Sequence, residues 1–180
     1  MKITVKGIII IFVSIGVYTI LDLATGIATP FGDIHITYAH PFLVFISAVA
    51  GPVTGAITGF VGQMIVQTRK TYLDWPATIT IVLNCLSIGI FTLRMRIKEG
   101  IFEGKDFIQF NQVQIISNIL SWAVIHPLLS HFLLKQDLAR ALREGGYTAL
   151  HYVISCTLIS SLFIAIYARS QITPQNFYRN

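Results

Sequence analysis

The sequence predicts an all-α integral membrane protein, folded as one domain into a compact bundle of six transmembrane helices. Of its 180 residues, 54% are hydrophobic and only 12% are charged, whereas a soluble domain has about 25% charged residues. Residues 41–67 contain no charge at all and exceed the roughly 20 residues that a helix needs to cross a bilayer. The short alternating segments of a membrane barrel are absent, which leaves helices.

The first predicted span covers residues 6–24, after a basic start, and ends near Asp22. A cleavable signal peptide has a similar pattern, but a retained helix is favoured because several further spans follow. Residues 24–40 then form a predicted outer loop that holds no Lys or Arg. This loop carries a group of polar and aromatic side chains that we treat as candidate ligand contacts: Phe31, Asp33, His35 and Tyr38.

Gly51-Pro52 interrupts the uncharged run, because proline breaks a helix and glycine permits a sharp turn. The run therefore divides into a short second span, 41–50, and a third span, 53–68. Small residues recur here at every fourth position: Gly51, Gly55 and Gly59. Such a face lets another backbone approach closely, either a partner subunit or, as the spacing alone favours, another helix of the same bundle.

The remaining predicted spans are 76–93, 111–134 and 147–168, separated by a polar loop at 94–110 and a charged connection at 135–146. Tyr72 and Trp75 suit the headgroup region, and Pro76 suits a first helical turn. Six spans place both termini on one side. Most of the 13 Lys and Arg fall in the segments on that side, namely Lys2, Lys6, Arg94, Arg96, Lys98, Lys105, Arg169 and Arg179. This excess modestly favours cytoplasmic termini.

Polar residues on the later spans recur at helical spacing and so share a face. They are Asn111, Gln114, Asn118, Trp122 and His126 on the fifth span, Thr80, Asn84 and Ser87 on the fourth, and Tyr147, His151 and Ser155 on the sixth. Exposing these groups to lipid costs several kcal/mol, so they should face a shared interior. Interhelical hydrogen bonding explains any single one equally well, whereas the accompanying aromatics favour a pocket for a ring-containing metabolite.

The sequence lacks the motifs that are typical of several other functional classes. The five histidines show no HExxH pattern, and residues 100–106 are too short for a phosphate loop and end in Asp106. Cys85 and Cys156 have no metal-binding or disulfide spacing. The positive charges lie between spans and form no single patch, so nucleic acid is not expected as a partner. We therefore expect no catalytic set, no metal and no bound cofactor.

Three segments resemble the substrate-binding S component of energy-coupling factor (ECF) vitamin transporters: AVAGPVTGAITGFVG at 48–62, NILSWAVIHP at 118–127 and GGYTA at 145–149. The resemblance implies a subunit in the plasma membrane of a prokaryote. It also implies association with a transmembrane coupling subunit (T component) and two cytoplasmic ATPases. The vitamin would be captured at the outer face. Within the family the sequence is most similar to cobalamin-type members, so the resemblance implies cobalamin as the vitamin, although no single residue is specific for a corrin.

In that family the first helix commonly has two alanines four residues apart for docking on the coupling subunit. Here Ser14 and Gly16 occupy that region, and Ala24 and Ala28 have the spacing but follow Asp22. The predicted partner contacts are therefore Gly7, Ser14, Gly16, Gly51, Gly55 and Gly59.

The predicted vitamin site lies at the outer halves of spans four to six and the neighbouring loops. Its residues are Phe31, Asp33, His35, Tyr38, Tyr72, Trp75, Asn84, Asn118, Trp122, His126, Tyr147 and His151. Alternative hypotheses are an S component for riboflavin, thiamine or biotin, and a self-sufficient secondary carrier, which the scarcity of charges within spans opposes. A membrane-embedded enzyme or structural subunit is a third.

Overall fold

The computed structural model describes residues 5–28, 35–69 and 73–172, so the predictions for Phe31, Asp33 and Tyr72 lie outside the described residues. Nearly all of the described chain is helical. The helices are α1 Val5–Thr25, α2 Ala39–Ala50, α3 Pro52–Gln67, α4 Trp75–Thr92, α5 Gly104–Asn118, α6 His126–Leu134, α7 Leu138–Ser155 and α8 Ser161–Ser170. Two short strands, β1 Ile27–Ala28 and β2 His35–Ile36, pair antiparallel after α1.

Two of these helices continue into the next through a wider, π-helical segment. Ile119–Ile125 joins α5 to α6, and Cys156–Ser160 joins α7 to α8. Within the described residues, four helices are thus long and apolar enough to cross a membrane: Val5–Thr25, Trp75–Thr92, Gly104–Leu134 and Leu138–Ser170. The chain is therefore an all-helical membrane bundle, in which crossing by the shorter α2 and α3 remains a prediction.

Helices α2 and α3 form a tight hairpin at Gly51. Gly51 has a φ of 103°, a conformation that glycine adopts without strain, and Pro52 starts α3. The two helices lie side by side, because a Cβ at Gly55 would be only 2.8 Å from the Cβ of Ser47. The break predicted at Gly51-Pro52 therefore reverses the chain direction.

The other glycines of α3 allow further helices to approach. A Cβ at Gly59 would lie 2.6 Å from Ile81 Cγ2 of α4, and one at Gly62 would meet the ring of Tyr18 on α1. Gly55 and Gly59 thus have neighbours inside the bundle, as the packing alternative expects. We therefore assign both glycines to helix packing within the bundle and do not propose them as contacts with a partner subunit.

The helix boundaries lie within a residue or two of the first four predicted spans, but α5 and α7 begin earlier than predicted. Glu103 and Asp106 form a capping box that starts α5 at Gly104, inside the predicted polar loop. Asp137 accepts a hydrogen bond from the Arg140 amide and starts α7 inside the predicted connection. The predicted boundaries at 111 and 147 mark where the chain becomes apolar, while the helices continue beyond that point.

Successive helices run in opposite directions, so the end of α1, the start of α2, the end of α3, the start of α4 and residues 135–137 lie together at one end of the bundle. We call this the cavity end. The beginning of α1, the turn around Ile97–Glu99 and the end of α8 lie at the opposite end. Both ends of the described chain are therefore on the same side.

Neighbouring glycines of α7 give a test of this packing. A Cβ at Gly145 would lie 2.5 Å from Pro127 Cγ of α6, whereas one at Gly146 would have nothing within 4 Å. Gly145→Ala should lower the stability of the purified protein by roughly 1–3 kcal/mol through overpacking. Gly146→Ala should raise it by roughly 0.5–1 kcal/mol, because alanine favours the helix. Thermal unfolding in detergent measures both, and equal melting temperatures would contradict the helix contact.

Candidate functional site

A cavity of about 740 Å³ opens at the cavity end of the bundle. Its volume falls in the range of roughly 300–1,000 Å³ that is usual for small-molecule pockets. Side chains from α1, α2, α3, α4, α6, α7 and the segment before α6 line it. They include Tyr18, Asp22, Thr37, His40, Gln63, Arg69, Asp74, Trp122, His126, Gln136, Arg140, Glu144 and Tyr152. The bundle therefore encloses a mixed aromatic and polar site.

Three aromatic rings from three different helices meet in the buried part of this cavity. The rings of His40 on α2 and Tyr152 on α7 stack with centroids 4.0 Å apart. The ring of Trp122 meets His40 edge-on at 5.6 Å and Tyr152 at 5.1 Å. None of the three side chains is more than 6% exposed. We call these three rings the aromatic floor.

Beneath the aromatic floor, the side-chain amide of Asn118 connects three helices. Its Oδ1 accepts hydrogen bonds from His40 Nε2 at 2.9 Å and from Asn84 Nδ2 at 3.4 Å. Its Nδ2 donates to the main-chain oxygen and the side-chain oxygen of Gln114, at 2.9 and 3.0 Å. Asn84, Gln114 and Asn118 have no exposed surface. This network gives these buried amides hydrogen-bond partners, except for Asn84 Oδ1, which has none within the described residues.

The same polar stripe also connects α5 to the last long helix. Gln114 Nε2 donates to Thr157 Oγ1 at 2.7 Å, and Asn111 Nδ2 donates to Ser161 Oγ at 3.1 Å. The part of the stripe before residue 119 is thus used for interhelical hydrogen bonds. Only its continuation, Trp122 and His126, lines the cavity. The interhelical hydrogen-bonding interpretation therefore applies to residues 111–118, and ligand contact stays a prediction for Trp122 and His126.

The other predicted site residues have different surroundings. Trp75, Tyr38 and Tyr147 are between 38% and 44% exposed and do not line the cavity. The ring of His151 contacts those of Tyr38 and Tyr152, with centroids 6.2 and 5.7 Å apart. His35 contributes its backbone to β2.

Several cavity residues were not predicted as site residues. Tyr18 of α1 is 2% exposed and donates a hydrogen bond to Gln63 Oε1 at 2.8 Å. Asp22, one turn further along α1, accepts from Thr37 Oγ1 at 3.2 Å. A usable signal was present in the sequence, because Ser14, Tyr18 and Asp22 recur every four residues and so share one face of α1.

Charged groups of both signs lie around the mouth of the cavity. Glu144 accepts from Arg140 Nε and from Gln136 Nε2, each at 2.7 Å. The carboxylate of Asp74 caps α4 through the amide of Ala77 at 3.0 Å. These carboxylates therefore already have hydrogen-bond partners within the protein.

Three buried polar atoms on cavity-lining residues lack a hydrogen-bond partner within the described part of the chain: His40 Nδ1, Trp122 Nε1 and His126 Nδ1. Buried polar atoms in proteins nearly always have partners. A bound molecule in the cavity would be placed to supply them.

Comparison with known proteins agrees with this architecture. The family described as "ECF-type riboflavin transporter, S component" matches residues 2–169. A UPF0397 protein of Lactobacillus johnsonii is 28% identical over 180 residues, covering 98% of this chain and 96% of that protein. A UPF0397 protein of Staphylococcus aureus (strain Mu3) is 32% identical over 172 residues, covering 94% and 93%. The chain therefore belongs to the S component family of ECF-type transporters, as a multi-pass membrane subunit for vitamin uptake.

Proposed function

We propose that this chain captures a flat, ring-containing vitamin in the cavity and delivers it inward when coupled to a transmembrane subunit and two ATPases. The observation that carries the proposal is the aromatic floor, in which the rings of His40 and Trp122 hold buried nitrogens that have no hydrogen-bond partner among the described residues. Aromatic side chains with a few hydrogen-bonding groups are the usual lining for such ligands.

Riboflavin is the ligand that we propose first. A cavity of about 740 Å³ accommodates a flavin with room for its polar side chain. The description of the matching family names a riboflavin transporter, which supports the same choice. Cobalamin, suggested by the sequence resemblance, is several times larger than a flavin and would need the loops at the cavity end to move apart.

The outer surface of α1 is the partner contact that we propose. It exposes Phe12, Val13 and Ile9, each more than half accessible, and a Cβ at Gly16 would meet no atom of the described residues within 4 Å. Gly7 lies on the same helix, whereas Ser14 is only 3% exposed and points into the bundle. The T component would dock on the lipid-facing side of α1, and the two ATPases would supply the energy for release.

Removal of the large ring in the cavity should weaken vitamin binding. We expect Trp122→Ala to reduce the affinity of the purified protein for riboflavin at least tenfold, because stacking and buried apolar contact are lost. His126→Ala should reduce it less. Ile116→Ala is the matched control on the same long helix, since its side chain is 66% exposed toward lipid. Quenching of flavin fluorescence gives the affinities, and unchanged values for Trp122→Ala would exclude it from the site.

The orientation in the membrane can be tested by labelling. With both termini cytoplasmic, a cysteine at Arg143 should react with an impermeant thiol reagent in intact cells, while one at Lys98 should not. Both positions are exposed, and the native Cys85 and Cys156 have no exposed surface, which keeps the background low. The reverse pattern would place the cavity on the cytoplasmic side.

Reconstitution of the lone chain separates this proposal from a secondary carrier. In liposomes we expect the chain to bind riboflavin without accumulating it, because the described spans offer few charged groups for ion coupling. Accumulation driven by an ion gradient would contradict the S-component mechanism and support the carrier hypothesis.

A further inference from the structure

We propose that His40 and Trp122 together select a ligand whose buried edge carries a ring N–H beside a carbonyl oxygen, as in a lactam or cyclic imide. His40 Nδ1 would accept from the N–H, and Trp122 Nε1 would donate to the carbonyl. The inference rests on the proposed function and adds the chemistry of the ligand edge to it.

The contacts of the Asn118 amide allow only one orientation of that group. A main-chain carbonyl oxygen can only accept hydrogen bonds. The atom of Asn118 that lies 2.9 Å from the Gln114 carbonyl oxygen must therefore be the NH₂ group. The amide oxygen of Asn118 is then the atom that faces His40.

That orientation fixes the tautomer of His40. Its Nε2 lies 2.9 Å from Asn118 Oδ1, which can only accept, so Nε2 must carry the hydrogen. In a neutral imidazole, the other nitrogen then has no hydrogen and offers a lone pair. Nδ1 of His40 is therefore an acceptor.

The His40 ring is held in this position from several directions. It stacks on Tyr152 with an interplanar angle of 24°, meets Trp122 at 81°, and is only 2% exposed. Rotation of the ring would break the bond to Asn118. The acceptor at Nδ1 is thus fixed in place without a partner among the described residues.

Trp122 supplies the complementary group. Its Nε1–H can only donate, it is buried, and it too has no partner in the described part of the chain. The two rings touch each other, with centroids 5.6 Å apart, and both line the cavity. One acceptor and one donor on two touching rings are the complement of an N–H next to a C=O on the edge of a flat ring.

Such a pair would act as a specificity filter. A site built to hydrogen-bond a particular group rejects analogues that lack it, because its own buried polar atoms then remain unpaired. A flavin has this edge at its pyrimidine ring, and methylation of the ring N–H removes the donor.

The test compares riboflavin with 3-methylriboflavin on the wild-type protein and on His40→Gln. The glutamine amide can occupy the position of Nε2 and keep the bond to Asn118, but it offers nothing at the position of Nδ1. Wild-type protein should bind riboflavin about tenfold more tightly than the methylated analogue. His40→Gln should lose about tenfold for riboflavin and little for the analogue, which is the non-additivity expected of two groups in direct contact. Trp122→Phe, which keeps a ring but removes the donor, should lose about tenfold for both.

The outcomes separate the two proposals. Riboflavin binding that is insensitive to methylation and to His40→Gln would overturn the donor and acceptor assignment and leave vitamin capture standing. Binding of cobalamin alone would overturn the lactam assignment and the choice of riboflavin. Binding of neither vitamin would overturn the proposed site as a whole. The melting temperature of His40→Gln serves as the folding control, and the methylation comparison on wild-type protein needs no variant.

Discussion

The architecture depends on the Asn118 amide, which satisfies buried polar groups from three helices at the centre of an apolar bundle. Its four hydrogen-bonding contacts join α2, α4 and α5. Within a membrane-spanning bundle no water is available to replace a lost partner, so such a network constrains how the helices fit together. By holding the His40 ring, the same amide also determines which ring nitrogen is left as an acceptor.

Two departures from regular α-helix geometry, the hairpin at Gly51 and the π-helical segment before α6, shape the cavity next to this network. The hairpin at Gly51 returns the chain, so α2 and α3 both contribute residues to the cavity end. In the wider π-helical segment before α6, the His126 amide bonds to the carbonyl of Ser121, and both Trp122 and His126 line the cavity. Such π segments occur often at functional sites. Here one forms a wall of the cavity.

The cavity and the surface of α1 have different chemistry, which suits a division of tasks within a transporter. The proposed ligand contacts lie among buried rings, while Glu144, Arg140 and Asp74 at the mouth have hydrogen-bond partners within the protein. The outer face of α1 is apolar, and at Gly16 no side chain projects from it. A subunit that binds substrate but relies on partners for energy needs both surfaces and no catalytic group of its own.

The sequence by itself determined the membrane class, the break at Gly51-Pro52, most helix boundaries and the faces that point inward, because hydrophobicity and helical period are local properties. It did not determine where the polar stripe changes from structural network to cavity wall. That division depends on the residues opposite each position, and His40 and Asn118 are 78 residues apart in the chain. Tyr18, Asp22 and Gln63 also line the cavity because of the residues that pack opposite them, which the sequence does not show. Periodicity specifies a face of a helix, whereas only the packed structure decides which helix that face meets.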